Sequence, residues 1–203
     1  KGLSIDSNNV SIQLLNARIA YKMKDFPSVI KSLKTVEKSR DLDNFNLRII
    51  GFSYIQVDSA DRAIVYLNRS LKSNNGIEHA YYYLALAYEL KKEPKVAIHY
   101  YEEAIKAGLS EKLGLYHRRI AARQIEQNKY NDAINALKKS LEYEDTENVY
   151  FTLAQCLDKT NADKKQVLRQ YEFFLRRAKS NPNPYQQFAE NRVRELKEYL
   201  HMK

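Results

Sequence analysis

The chain has 203 residues, of which 44% are hydrophobic, so it is long enough for one large domain or one repeat array. It contains only 5 glycines and 4 prolines, too few for a turn-rich all-β protein. The single cysteine, Cys156, excludes an internal disulfide framework, and no apolar run reaches the roughly 18 residues of a membrane-spanning helix. The net charge is +9, but basic and acidic residues are interleaved, which favours an ordinary solvated surface.

Small and apolar residues recur at helical spacing and predict pairs of helices along most of the chain. The pattern is clearest in two segments, 80–88 and 96–105, which are joined by a turn at 92–94. The residue that opens the second helix of each pair is small or β-branched and recurs after 34, 34, 36 and 34 positions. These residues are Val29, Ala63, Ala97, Ala133 and Val167. An internal repeat of about 34 residues therefore organises the chain.

A second column of small residues lies twelve positions upstream in four of the pairs. It consists of Ala17, Gly51, Ala85 and Ala121. Where two antiparallel helices cross closely, a bulky side chain would push them apart, so both columns are expected at helix crossings. In the fifth pair the small residue, Ala154, lies one place early, which predicts a turn that is one residue longer.

Taken in chain order, the pattern predicts an N-terminal extension, five helical hairpins and a last helix. The extension is expected at 1–9, the hairpins at about 10–43, 44–77, 78–111, 112–146 and 147–180, and the last segment at 181–203. Pro27, Pro94 and Pro184 each lie where a helix should begin. The last helix carries an apolar stripe that includes Phe188 and Leu196. It is interpreted as a cap on the fifth hairpin, and the alternative is a docking helix for another chain.

The third hairpin combines aromatic, leucine, small and tyrosine residues in one helix with alanine and aromatic residues in the next. They are Tyr81, Leu84, Ala85, Tyr88, Ala97, Tyr101 and Ala104. In these residues the chain resembles the tetratricopeptide repeat family, over about residues 10–180. The resemblance implies an all-α fold, an α-solenoid of about five helix-turn-helix hairpins with a C-terminal capping helix. The family's proline at the end of each repeat is missing, and Asp145 stands at one of these positions.

No convergent set of catalytic groups is visible in the sequence. The four histidines lie in different segments without the spacing of a zinc site, and no glycine-rich phosphate loop is present. Cys156 lies within an apolar run and is expected to be a buried, inert thiol. The sequence therefore predicts no enzyme activity, no metal and no cofactor.

The resemblance also implies a binding site, because in this family the first helices of the hairpins line a concave groove that holds a peptide or a helix. The positions directly after the aromatic and the small signature residues should face this groove. Residues one turn earlier on the same helices should face it as well. The predicted groove residues are Arg18, Phe45, Arg48, Phe52, His79, Tyr82, Leu86, Arg118, Phe151 and Gln155. Aromatic residues and arginine are enriched at binding hot spots. The alternative is that the aromatic residues pack between repeats and the arginines are solvated.

The predicted function is a non-enzymatic protein–protein interaction module that binds a partner peptide or helix, with acidic groups, in this groove. The chain lacks the lysine and asparagine set with which some family members hold a terminal carboxylate, which disfavours chaperone-tail binding. Two alternatives remain open. Basic residues at 118–123 and 164–179 could contact phosphate in a nucleic-acid-associated repeat, or the array could be a passive scaffold or assembly subunit.

The chain begins at Lys1 and not at Met, so we expect that a segment upstream has been removed. That segment is a signal sequence, a tag or further protein. A signal sequence would place the chain in a bacterial periplasm or on the cell surface, and the cytoplasm is the alternative.

Overall fold

The computed structural model describes residues 9–38, 42–72, 76–108, 112–178 and 184–202, and all regular structure in these ranges is helical. In chain order the helices are α1 (Val10–Lys22), α2 (Phe26–Glu37), α3 (Asn44–Gln56), α4 (Ala60–Ser70), α5 (Ile77–Leu90), α6 (Pro94–Ala107), α7 (Leu113–Glu126), α8 (Tyr130–Tyr143), α9 (Glu147–Lys159), α10 (Lys164–Ala178) and α11 (Gln186–His201). Consecutive helices pack as five hairpins, and α11 packs against α10. The predicted all-α helical repeat is confirmed. Residues 1–8 of the expected extension and Lys179 of the basic run lie outside the described residues.

The chain forms two compact units, Lys1–Gly108 and Leu109–Lys203. The first unit holds α1 to α6, which are three hairpins. Within it, the first helices α1, α3 and α5 contact one another in sequence, so that they lie side by side. The second unit holds α7 to α11, and α8 packs against α9 there.

Both columns of small residues lie in the buried cores of the hairpins. The fully buried members are Ala17, Val29, Ala63, Ala85, Ala97, Ala121, Ala133, Ala154 and Val167. Gly51 is also buried, and a Cβ added to it would lie only 2.7 Å from Cγ of Leu67 on α4. This distance is too short for any side chain without a shift of Leu67, so the close crossing of α3 and α4 requires a glycine here. The predicted role of the columns is confirmed.

Each hairpin turns through one residue with a left-handed backbone, and none of these residues is glycine. They are Lys24, Asp58, Lys92, Asn128 and Asn161, with φ between 53° and 59°. In every case the next residue donates its N–H to the carbonyl five residues earlier, for example Ser59 to Tyr54 at 2.8 Å. This bond satisfies a carbonyl that the helix end would otherwise leave free. A common turn geometry therefore repeats in all five hairpins.

The fifth turn is longer than the others, as the sequence predicted. Four residues separate α9 from α10, whereas three residues separate the two helices of every other hairpin. Pro27 and Pro94 lie in the first turns of α2 and α6, where the missing N–H of proline costs no helical hydrogen bond. Pro184 lies two residues before α11 begins.

Candidate partner-binding site

An exposed phenylalanine on α3 lies between two arginines in the first unit. The guanidinium of Arg18, from α1, is 5.4 Å from the centre of the Phe45 ring, and that of Arg48 is 6.0 Å away. Such distances allow cation–π attraction. Phe45 nevertheless keeps 42% of its surface exposed. The arrangement presents an apolar ring and two positive charges together on neighbouring first helices.

The guanidinium of Arg48 lies against a glycine at the start of α5. Gly76 has a left-handed backbone with φ of 71°, and a Cβ added there would lie 2.5 Å from Nη1 of Arg48. The left-handed backbone favours glycine at this position, and the guanidinium of Arg48 lies close beside it.

Phe52 packs between hairpins, which is the alternative that the sequence left open for it. Its ring contacts those of Tyr21, Phe26 and Tyr83 at centroid distances of 6.0, 5.8 and 4.7 Å. The hydroxyl oxygens of Tyr21 and Tyr83 are 3.4 Å apart. Burial first, and then the hydrogen bond with Tyr21, raise the pKa of Tyr83 well above its ordinary value. Sequence reasoning missed Tyr83, although it lies in the run of three tyrosines at 81–83.

The other predicted groove residues of the first unit lie on α5. The Tyr82 ring is half-buried and lies 5.7 Å from Tyr83 and 6.1 Å from Tyr101. His79 is exposed, with its ring edge towards Tyr83 at 6.4 Å. Leu86 is half-buried. The prediction that these residues contact a partner remains a prediction.

In the second unit, Arg118 forms an ion pair with a residue just after α8. Its Nη2 lies 2.8 Å from Oε2 of Glu144. Arg123, one turn further along α7, pairs in the same way with Glu126 at 2.8 Å. Carboxylates therefore neutralise two arginines of the basic run at 118–123. This run is for that reason less suited to bind phosphate.

Phe151, which the sequence analysis assigns to the groove, is buried in the second unit. Only 4% of this residue is exposed. Its ring is enclosed by those of Phe174 on α10 and of Tyr185 and Phe188 at the start of α11, at 5.1, 4.7 and 5.9 Å. Because the last helix folds over Phe151, this side chain belongs to the core of the second unit.

Gln155 is exposed and lines a pocket of about 540 Å³ beside the docked α11. Across this pocket Arg192 donates two hydrogen bonds to Asp158, at 2.7 and 2.9 Å. Hydrogen bonding from Arg192 lowers the pKa of Asp158 below its ordinary value, although burial opposes the shift. This ion pair anchors α11 to α9.

Among the described residues, no group of three or more histidine, cysteine, aspartate or glutamate side chains could hold a metal ion. Burial, aided by the charge of Lys139, lowers the pKa of His117, and burial raises the pKa of the Cys156 thiol to about 11. A buried thiol with a raised pKa is a poor nucleophile. In the part of the chain that the structure describes, no helix combines the length and apolar character needed to span a membrane.

Comparison with solved structures identifies the class of fold. The chain is similar to MamA, with a TM-score of 0.73 and 17% identity over 84% of this chain and 92% of that chain. It is also similar to PilW, a widely conserved type IV pilus biogenesis factor, with a TM-score of 0.71 and 11% identity over 90% and 83% of the two chains.

A third similar structure is YrrB, a TPR protein with an unusual peptide-binding site, with a TM-score of 0.63 and 18% identity over 78% of each chain. The sequence matches no protein-family model and no curated protein. These likenesses show that the chain has the tetratricopeptide-repeat fold.

Proposed function

We propose that the chain is a non-enzymatic protein-interaction module whose first unit binds a segment of a partner protein along α1, α3 and α5. The observation that carries this proposal is the exposed ring of Phe45 beside the guanidinium groups of Arg18 and Arg48. A large aromatic ring left 42% exposed loses hydration when a partner covers it, and arginine and aromatic side chains dominate binding energy at interfaces.

The chemistry of this surface selects a particular kind of segment. An apolar side chain would cover the Phe45 ring, and an adjacent aspartate or glutamate would accept hydrogen bonds from the arginines. The contact between the Phe52 and Tyr83 rings holds α3 and α5 together, and a surface on rigid helices lowers the entropy cost of binding. The peptide-binding site of YrrB, a protein of the same fold, is consistent with such a role.

Quantitative affinity capture from the source cell tests the proposal. The double variant Arg18→Ala/Phe45→Ala should lose a defined set of partners, while its melting temperature stays close to that of the wild type. The matched control is Arg62→Ala/Val65→Ala on α4, which removes one exposed arginine and one exposed apolar side chain from a second helix. Partners that survive in the double variant, or that are lost equally in the control, would contradict the assignment of this surface.

A further inference from the structure

Three arginines converge on one phenylalanine ring in the second unit. The guanidinium groups of Arg169, Arg176 and Arg177 lie 5.4, 4.5 and 5.8 Å from the centre of the Phe173 ring. The ring of Tyr150 stacks against Phe173 at 5.5 Å, and Arg177 also lies 4.7 Å from the Tyr150 ring. We call these five residues the arginine–aromatic cluster. The three arginines lie three or four positions from Phe173 on α10, a spacing that brings them to one face of the helix, whereas Tyr150 comes from α9.

Aromatic contact leaves much of the hydrogen-bonding capacity of an arginine available. A guanidinium that lies over a ring has its five N–H donors in its own plane, so their edge can still bind a carboxylate at two points. The rings also hold the long side chains in place, so less rotamer entropy is lost when an anion binds. The cluster is therefore suited to recognise planar acidic groups.

The acidic residues near the cluster pair with only part of it. Arg177 lies 2.6 Å from Asp145, and Glu172 on the same helix pairs instead with Lys197 at 2.9 Å. Among the described residues, no carboxylate forms an ion pair with Arg169 or Arg176, and both are exposed. Lys165, one turn before Arg169, is exposed as well.

The charge along α10 forms a short stripe. Lys165 and Arg176, with Arg169 between them, lie eleven positions apart, which corresponds to about 16 Å of helix. An extended polypeptide covers that length with about five residues. Two or three acidic side chains of one segment can therefore reach the stripe at the same time.

We propose that this stripe, together with the arginine–aromatic cluster, binds an acidic segment of another protein. Carboxylates fit better than nucleic acid, because the contacts of Phe173 and Tyr150 with each other and with arginines take up the ring surface on which a base would stack. The inference does not depend on the proposed function of the first unit.

Fluorescence anisotropy of two labelled probes tests this inference on the full chain at low salt. The probes are a short poly-glutamate peptide and an oligothymidylate of equal charge. Poly-glutamate should bind the wild type, and the double variant Arg169→Ala/Arg176→Ala should weaken that binding at least about tenfold. The matched control Lys138→Ala/Lys139→Ala removes two exposed charges from α8 of the same unit and should change the affinity less than about twofold.

A charge-conserving variant separates the contribution of the planar guanidinium groups to binding from the contribution of net charge. Arg169→Lys/Arg176→Lys keeps both charges but loses bidentate binding and ring stacking, so it should still weaken poly-glutamate binding about fivefold. If the alanine variant does not fold, this lysine variant tests the inference in its place. Three results would overturn the inference. They are no binding of poly-glutamate to the wild type, equal weakening of that binding by Lys138→Ala/Lys139→Ala, or preferential binding of oligothymidylate that Arg169→Ala/Arg176→Ala abolishes.

Discussion

The second and fifth hairpins can be compared at one position, which lies three residues before the small residue at the helix crossing. In the second hairpin this position holds Arg48, which is half-buried and lies beside the exposed ring of Phe45. In the fifth it holds Phe151, which α11 covers almost completely. The same helix geometry thus supports an open polar surface in one hairpin and an apolar contact for a further helix in the other.

This contrast shows that the repeat alone does not decide which surface is available. Both hairpins cross at small residues, Gly51 and Ala154, and both turn through a left-handed residue. The two hairpins differ in what covers the first helix. In the fifth hairpin α11 supplies the rings that cover it, whereas in the first unit we propose that a partner segment covers Phe45.

The largest expected effect separates the two phenylalanines. Phe151→Ala should destabilise the protein by about 3–5 kcal/mol, because it opens a cavity among Phe174, Tyr185 and Phe188. Phe45→Ala should cost about 1 kcal/mol or less, since its ring is already partly exposed. Denaturant unfolding of both variants measures the two costs. Equal costs would mean that Phe45 is a core residue and would remove the basis of the proposed groove.

The repeat cores could be predicted from sequence because their cause is local. A close crossing tolerates only small residues, so Gly51, Ala85 and Ala121 recur at fixed intervals that can be read directly. The early position of Ala154 even predicted the longer fifth turn, which the structure has. The prediction of the groove was based on a family resemblance, and the sequence does not show which contacts its residues make.

The burial of Phe151 beneath α11 and the stacking of Tyr150 on Phe173 could not be predicted in this way. Two of the rings that cover Phe151, those of Tyr185 and Phe188, come from residues more than thirty positions later, so no pattern within the fifth hairpin indicates them. The left-handed turn residues were also missed, because Lys24 and Lys92 lack the usual preference for this conformation that glycine and asparagine show. Long-range contacts and unusual backbone angles thus limit what the repeat pattern can reveal.

A second prediction tests whether the two hairpins share one crossing geometry. Gly51→Leu and Ala154→Leu should each overpack a crossing and destabilise the protein by about 1–3 kcal/mol. The control Gln56→Leu places the same side chain at an exposed position at the end of α3 and should change stability by about 0.5 kcal/mol or less. Unfolding in urea measures all three. A neutral result at Ala154 would show that the fifth hairpin crosses less closely than the second.

The smallest effect concerns the anchor of α11. Arg192→Ala removes two hydrogen bonds to Asp158 and should cost about 1.5 kcal/mol at neutral pH. Because the folded-state pKa of Asp158 is lowered, the stabilisation is fully present above the unfolded pKa of about 3.9 and is lost as the pH falls through the lower, folded value. The stability difference between wild type and variant should therefore shrink in acid.

The control for this pH dependence is Arg194→Ala on the exposed side of the same helix. The Arg194 side chain donates to the amide of Asn191 and pairs with no carboxylate among the described residues, so its removal should have little effect at any pH. Stability curves for both variants from neutral pH into the acid range make the comparison. If the cost of Arg192→Ala were constant with pH, Arg192 would act through packing against the pocket beside Gln155. The docking of α11 over Phe151 would then depend on apolar contact alone.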